Sequence, residues 1–426
     1  MKVSAHFSKM TLLVIMALCA IFLTACESTS TSKDTPLLVG PSSTPTNVQL
    51  GVDPALANAN VFLDVAVPTF DAGFPVDKRG EIDYAQLDEE GIWPQLRRTE
   101  AKLFAIETKN ALEREKAFGS VVAVPDASTP SDLFVLGKIN HSDSEVVGAS
   151  ITVVDSSGEI WGKKDLKYEV SQNFFRDQRN SGKNSYEPFF DQISAYVVSL
   201  LKSLSEDEKR QIKNMSLMRY ARYYSPEAFS QYIDSEIKRK NGQRYYKFEL
   251  NGLPDNDDPM LKRIQELRAQ ELLFIDRLQD QYEVFEAEVK PSYQRWQEET
   301  LPELEAARSA AMKRNASAAL GVGLGVLAAI LSRNSGSSAG QVGAVLGGLG
   351  SIYAINEAFK SNSAMKVHSA VIEEKGQAVD LSVSPIEMEF EDNTIELQGT
   401  ASEQYMQWKS HLRKIYEVER TPDLQL

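Results

Sequence analysis

Residues 315–332 carry no charge, and neither do residues 334–356, so Arg333 alone interrupts a long apolar, glycine-rich stretch. Within it Ser317, Gly321, Gly325 and Ala329 recur at every fourth residue, as do Gly336, Gly340, Ala344 and Gly348. Small residues at that period cut a groove along one helix face and let a second helix approach until backbones nearly touch. At a rise of about 1.5 Å per residue the two halves make helices of about 27 and 34 Å, close to the thickness of a hydrocarbon core. Glycine inside a helix costs about 1 kcal/mol relative to alanine, so segment 316–356 becomes a helical hairpin only where close packing or a membrane compensates. Two settings meet that condition: insertion into a membrane as one of a ring of copies, or packing as a glycine zipper against protein. The faces opposite the glycines carry Leu320, Val322, Leu324, Val326, Leu327, Ile330, Leu331, Val345, Leu346 and Leu349, which water would leave exposed.

At the other end of the chain, Lys2 and Lys9 precede an uncharged run from Thr11 to Ala25. About 15 apolar residues are too few to span a bilayer but fit the core of a secretory signal. The run ends in Leu23-Thr24-Ala25-Cys26, which resembles the lipobox of bacterial lipoproteins. The resemblance implies cleavage after residue 25, lipidation of Cys26 and a third acyl chain on the new amino terminus. At roughly 0.8 kcal/mol per buried methylene, such an anchor is effectively permanent. Glu27 stands where an Asp would signal inner-membrane retention in Gram-negative lipoproteins, so the resemblance implies an outer-membrane protein with its body facing the periplasm.

Removing residues 1–25 leaves 44 basic against 60 acidic residues, a net charge of −16. That surface repels nucleic acid and stays soluble. Cys19 leaves with the signal, so the mature chain has neither an internal disulfide nor a free catalytic thiol. Residues 26–50, rich in Ser, Thr and Pro, read as a flexible tether.

From 51 to 204 the patterning is that of an α+β domain. Asn60 to Pro68 is a buried strand, and a helix starts at Pro94 with Ala101, Phe104, Ala105, Thr108 and Leu112 on one face. Val121 to Pro125 and Asp132 to Ile139 are strands, and Val147 to Asp155 and Glu159 to Val170 flank the hairpin signal Ser156-Ser157-Gly158. A helix from Pro188 to Leu204 closes a β-α-β-β-β-β-α unit with helices on one face of a mostly antiparallel sheet. The two Val-Ala-Val-Pro-type strands around a helix, followed by Asp132-Leu133-Phe134-Val135-Leu136-Gly137-Lys138-Ile139 and a wide hairpin, resemble the periplasmic domain of curli-secretion-channel lipoproteins and of lipoprotein activators of penicillin-binding proteins. The resemblance implies a binding and assembly module rather than a catalyst.

Residues 205–315 read as helical. Ser225-Pro226-Glu227 resembles an N-cap and first-turn proline opening a helix through Ile233. Around it the charge balance reverses: Arg219, Arg222, Lys238, Arg239, Lys240 and Arg244 interleave with Tyr220, Tyr223, Tyr224, Tyr232, Tyr245 and Tyr246. Cations beside aromatic faces suit a glycan or anionic polymer such as peptidoglycan, with Arg219, Arg222, Tyr223, Tyr224, Lys238, Arg239, Lys240 and Arg244 as contacts; the alternative, which the composition favours, is a helical pair with half-buried tyrosines and solvated charges. From Pro259 to Val289, positions 261, 264, 268, 271, 275, 278, 282, 285 and 289 form a heptad-like seam with Arg268 and Glu271 as exceptions, expected to pack on a neighbouring helix or on copies of itself. Pro291 bends or restarts that helix. Beyond it, 357–426 supplies a helix, a β-hairpin from Ile386 to Leu397 and a last helix from Ser402 to Val418, read together as a docking appendage.

His141, His368 and His411 are scattered and no nucleophile elbow, phosphate loop or dinucleotide fingerprint occurs, so no enzyme, metal or cofactor is expected. Two functions fit: a lipid-anchored outer-membrane component that self-associates or joins an envelope complex through its glycine-zipper hairpin, or a regulator that reaches across the periplasm to activate a peptidoglycan synthase or similar partner.

Overall fold

The computed structural model describes residues 59–240, 243–318, 350–390 and 393–419. The signal 1–25 with Leu23, Thr24, Ala25 and Cys26, the tether 26–50, and Gly321, Gly325, Ala329, Gly336, Gly340, Ala344 and Gly348 lie outside the described residues. Ser317 falls in the last turn of a described helix, in backbone only. In chain order the elements are β1 (Val65–Pro68), α1 (Tyr84–Glu89), α2 (Pro94–Arg114), β2 (Val121–Val124), β3 (Leu133–Ser142), β4 (Val146–Asp155), β5 (Ile160–Glu169), α3 (Glu187–Leu201), α4 (Glu206–Tyr224), α5 (Pro226–Phe229), β6 (Ile233–Lys240), β7 (Gln243–Leu250), α6 (Pro259–Ala318), α7 (Gly350–Ser361), α8 (Lys366–Lys375), β8 (Ile386–Phe390), β9 (Asn393–Leu397) and α9 (Ala401–Glu419).

The α+β class and the β-α-β-β-β-β-α order are as expected, but the sheet is mixed rather than mostly antiparallel. Its order is β2-β1-β3-β4-β5, with β1 parallel to both β2 and β3 and the remaining pairs antiparallel. The reason is visible in the strands. Val65–Pro68 is buried along its whole length with no alternation, the mark of a parallel strand covered on both faces, and α1 and α2 supply the crossover that parallel pairing needs. Helices α2 and α3 pack on each other and on the sheet, with Phe104 at the centre against Phe70, Tyr186, Phe189 and Phe190 at centroid distances of 5.3 to 6.3 Å. Asp132 is fully buried at the entry to β3, where its carboxylate accepts from Asp64 N at 3.0 Å and from Lys213 Nζ at 3.1 Å. One acidic side chain therefore ties the starts of β1 and β3 to the middle of α4.

Segment 205–315 is not wholly helical. The turn opened by Pro226 ends at Phe229, and from Ile233 the chain runs as a two-stranded ribbon, β6 paired with β7 from Ile233↔Leu250 to Lys240↔Gln243. Asn241-Gly242 between the two runs is a strong short-range hairpin signal, and it outweighs the helical reading. The ribbon docks on the β4–β5 turn: Phe248 N donates to Ser157 O at 2.8 Å and Lys247 Nζ meets Glu159 at 2.7 Å. At the contact, Gly158 holds φ +80°, and a Cβ there would lie 1.9 Å from Tyr246 O.

The sixty residues of α6 form one helix that passes through Pro291 and Pro302. Each proline removes a backbone hydrogen bond, but Ser292, Tyr293, Trp296, Leu301 and Leu304 are buried around them and hold the turns in place. The whole expected seam is covered: Leu261, Ile264, Glu271, Ile275, Leu278, Tyr282, Phe285 and Val289 are buried and Arg268 nearly so. Its partners are elements of the same chain, α4, α7, α8, α9 and β2. Gln279 on α6 bonds both backbone groups of Ala123 at 3.0 Å, which closes the β2 edge of the sheet. The C-terminal hairpin and helix are part of the core rather than an appendage, since Tyr405, Trp408 and Leu412 are fully buried in the same cluster as Val65 and Phe104. Buried Lys102 on α2 ties in the loop after α8, donating to Lys375 O, Ala378 O and Asp380 O at 2.7, 2.9 and 3.3 Å, and burial lowers its pKa to about 8.

Gly158→Val forces a branched residue into a left-handed conformation and drives its side chain into the ribbon, so it is expected to cost about 2 kcal/mol or more. Urea unfolding of the variant beside the parent chain measures that loss.

Candidate functional site

Helices α4, α6 and α9, the ribbon, Phe134 of β3, Ser156 of the β4–β5 turn and one loop line a cleft of about 450 Å³. The loop 127–131 forms one wall, α4 contributes Arg219, Tyr220, Arg222 and Tyr223, the ribbon contributes Ile233 and Phe248, α6 contributes Glu271 and α9 contributes Lys409. The positions on α4 and α9 follow from helical spacing. Arg219, Arg222 and Tyr223 lie three and four residues apart, as Tyr405, Lys409 and Arg413 lie four apart, so each set projects from one face.

Glu271 is the centre of the site's floor. Its side chain is fully buried and accepts hydrogen bonds from the hydroxyls of Tyr220, at 2.8 Å, and Tyr405, with Tyr224 at 3.5 Å. Burial pushes its carboxyl above the usual range, while Lys409 and the phenols act in the opposite direction. Burial, and then the Glu271 charge, raise the three phenols, so each stays a donor through the neutral range. Thr129 Oγ1, buried nearby, has no hydrogen-bond partner among the described residues.

The cations are held by aromatic rings and carbonyls rather than by acids. The Arg219 guanidinium lies 4.1 Å from the Phe248 ring centre and donates to Ser156 O at 2.6 Å. Arg222 donates to Ile233 O at 3.3 Å. Lys409 Nζ sits 4.7 Å from the Tyr223 centroid and 5.1 Å from that of Tyr405, and Arg413 lies 4.4 Å from Tyr223 and donates to its carbonyl at 3.1 Å. Tyr223 remains 47% exposed at the rim.

Of the residues expected to meet a ligand, the structure brings Arg219, Arg222 and Tyr223 together on the cleft and puts Tyr224 beneath it, bound to Glu271. Lys238, Arg239 and Arg244 do not line it, and Lys240 is described in backbone only. They lie along the ribbon, with Arg239 opposite Arg244 and Lys238 paired with Glu236. Lys409, Arg413, Thr129 and Glu271 were not among the expected contacts. Glu271 had announced itself as an acid in an apolar seam, whereas Lys409 lies far along the chain and only folding brings it to Tyr223. Among the described residues no group of His, Cys, Asp and Glu is arranged to hold a metal ion, and no helix is long and apolar enough to cross a membrane.

Removing the acceptor strands two buried phenols, so Glu271→Ala is expected to lose about 3 kcal/mol of stability. Glu271→Gln tests the charge itself. A carboxyl raised above its ordinary 4.5 keeps its proton longer in the folded protein than in the unfolded chain, so its contribution is complete below that pH and is lost as pH rises through the folded value. The unfolding free energy of the parent minus that of Glu271→Gln is therefore expected to fall as pH rises from acid to neutral in paired urea titrations. No family model, curated protein or solved structure matches this chain.

Proposed function

We propose that this chain is a lipid-anchored, non-catalytic component of a bacterial outer-membrane assembly, held at Cys26 and self-associating through the glycine-zipper segment 316–356. The observation that carries the reading is in the sequence: Leu23-Thr24-Ala25-Cys26 closes an apolar run preceded by Lys2 and Lys9. The fold supports it at the other feature. Helix α6 carries the chain out as far as Ala318, α7 carries it back from Gly350, and α7 lies against α6 with Trp296 Nε1 donating to Asn356 Oδ1 at 3.1 Å. The contact between α6 and α7 fixes the returning chain on the body, which suits a segment offered between them to a membrane or to its counterparts in other copies. The body that offers it shares one hydrophobic core from Val65 to Tyr416, which suits a rigid mount.

Two measurements test the proposal. Cys26→Ala is expected to move the mature protein from the membrane to the soluble fraction, because the acyl chains have no other attachment point. Mass photometry of the detergent-extracted protein is expected to give a large oligomer that falls apart when Gly321 and Gly325 are both changed to Leu, since the added side chains hold the helices apart. A monomer in both forms would instead favour the regulator that reaches a peptidoglycan synthase as a single copy.

A further inference from the structure

The chain has 60 acidic and 46 basic residues, yet the cleft between α4, the ribbon and α9 gathers cations on its wall and rim with no acid paired to them at its surface. Among the described residues Arg219, Arg222, Lys409 and Arg413 have no carboxylate within ion-pair distance; their recorded contacts are carbonyls and ring faces. The acids whose charge reaches these cations are buried: Glu271, which acts on Lys409, spends its oxygens on Tyr220, Tyr224 and Tyr405, and Asp155, which acts on Arg219, accepts from Ser157 and Trp161. Two buried acids against four cations leave a surplus of positive charge, which a ligand from outside the chain can neutralise.

The rings decide what kind of ligand fits. The Phe248 face is occupied by Arg219, and the Tyr223 face by Arg413 and Lys409. These aromatics therefore position cations and are not free platforms for a sugar ring. What remains for a ligand is positive charge with directed N–H donors, plus the hydroxyl of Thr129, 3% exposed on the lining beside Tyr405, whose own proton is committed to Glu271. The hydroxyls of Ser131, Ser156 and Ser216, also on the lining, are already committed to backbone carbonyls. Guanidinium and ammonium groups converging with a hydroxyl match the several acceptor oxygens of a phosphoryl group better than the two of a carboxylate. The cavity of about 450 Å³ leaves room for the molecule that carries the phosphoryl group.

We infer that this cleft is a binding site for a phosphomonoester, with Arg219, Arg222 and Lys409 neutralising the phosphoryl oxygens and Thr129 donating to one of them. The inference does not rest on lipidation or on self-association. A phosphoryl group reaches the site either on a small soluble molecule or on a lipid headgroup, and both share this chemistry.

Isothermal titration calorimetry of the full-length, detergent-extracted protein with inorganic phosphate, glycerol 3-phosphate and dihexanoyl phosphatidic acid separates the sources. Saturable binding to the parent chain is expected, weakened about tenfold or more in Arg222→Gln and in Lys409→Gln and further by added salt. Arg239→Gln, on the ribbon and away from the cleft, is expected to leave the affinity within about twofold of the parent, in keeping with a solvated charge. Tighter binding of the short-chain lipid than of glycerol 3-phosphate supports the site and assigns it to a headgroup; equal or weaker binding supports it and assigns a soluble ligand. Far-ultraviolet circular dichroism and the urea midpoint confirm that each variant is folded, which is expected because Arg222 and Lys409 are only partly buried. No heat with any of the three probes, or equal weakening in Arg239→Gln and the cleft variants, overturns the assignment.

Discussion

Burial of one side of α6 organises everything described. From Leu261 to Leu304 its apolar positions are covered in turn by α4, α9, β2, α8 and α7, so elements far apart in sequence share one support. A helix of sixty residues is about 90 Å long at about 1.5 Å per residue, far more than its own propensity would stabilise in water. Its packing face is what keeps it helical, and this also explains how it tolerates two internal prolines. The same face closes the sheet, since Gln279 satisfies the one edge that α6 crosses. The opposite edge, β5, instead carries exposed Lys163, Lys164 and Lys167, charges that discourage a further strand from pairing.

Electrostatics follow from that frame. Glu271 occupies a seam position where an apolar residue would be expected, and burying it is tolerable only because phenols from α4 and α9 reach it. Their convergence links two helices that are almost two hundred residues apart, and it forms the floor of the cleft above. The cations around that cleft are kept apart from the chain's many acids by ring faces, an arrangement worth about 1 kcal/mol per contact at partly exposed sites. Asp132 and Lys102 do comparable work elsewhere, the first binding Asp64 N and the Lys213 ammonium, the second three backbone carbonyls.

Much of the fold was legible. The helix from Pro94, the Ser156-Ser157-Gly158 hairpin, the seam on α6 and the apolar side of α9 follow from periodicity and turn chemistry, which are local properties. The parallel pairing of β1 was encoded in an unbroken buried strand but was outweighed by the hairpins that follow it. The ribbon was hidden because charged and aromatic residues obscure its alternation, although Asn241-Gly242 marks its turn. Of the cleft, the α4 residues were legible as a basic, tyrosine-rich cluster. Lys409 and Arg413 were not, because nothing local in α9 distinguishes them from solvated lysines and arginines.

By itself the sequence determined the α+β order of elements, the long amphipathic helix, the acidic balance, and the apolar run ending at Cys26, since each depends on neighbours within a few residues. Only the tertiary structure decided which partners bury α6, that the C-terminal helix belongs to the core, and that Arg219 and Arg222 meet Lys409 instead of Lys238 and Arg244. Those outcomes depend on contacts between distant segments. Such contacts are fixed by how faces of fitting shape and charge close over one another, and a one-dimensional pattern records the faces but not their pairing.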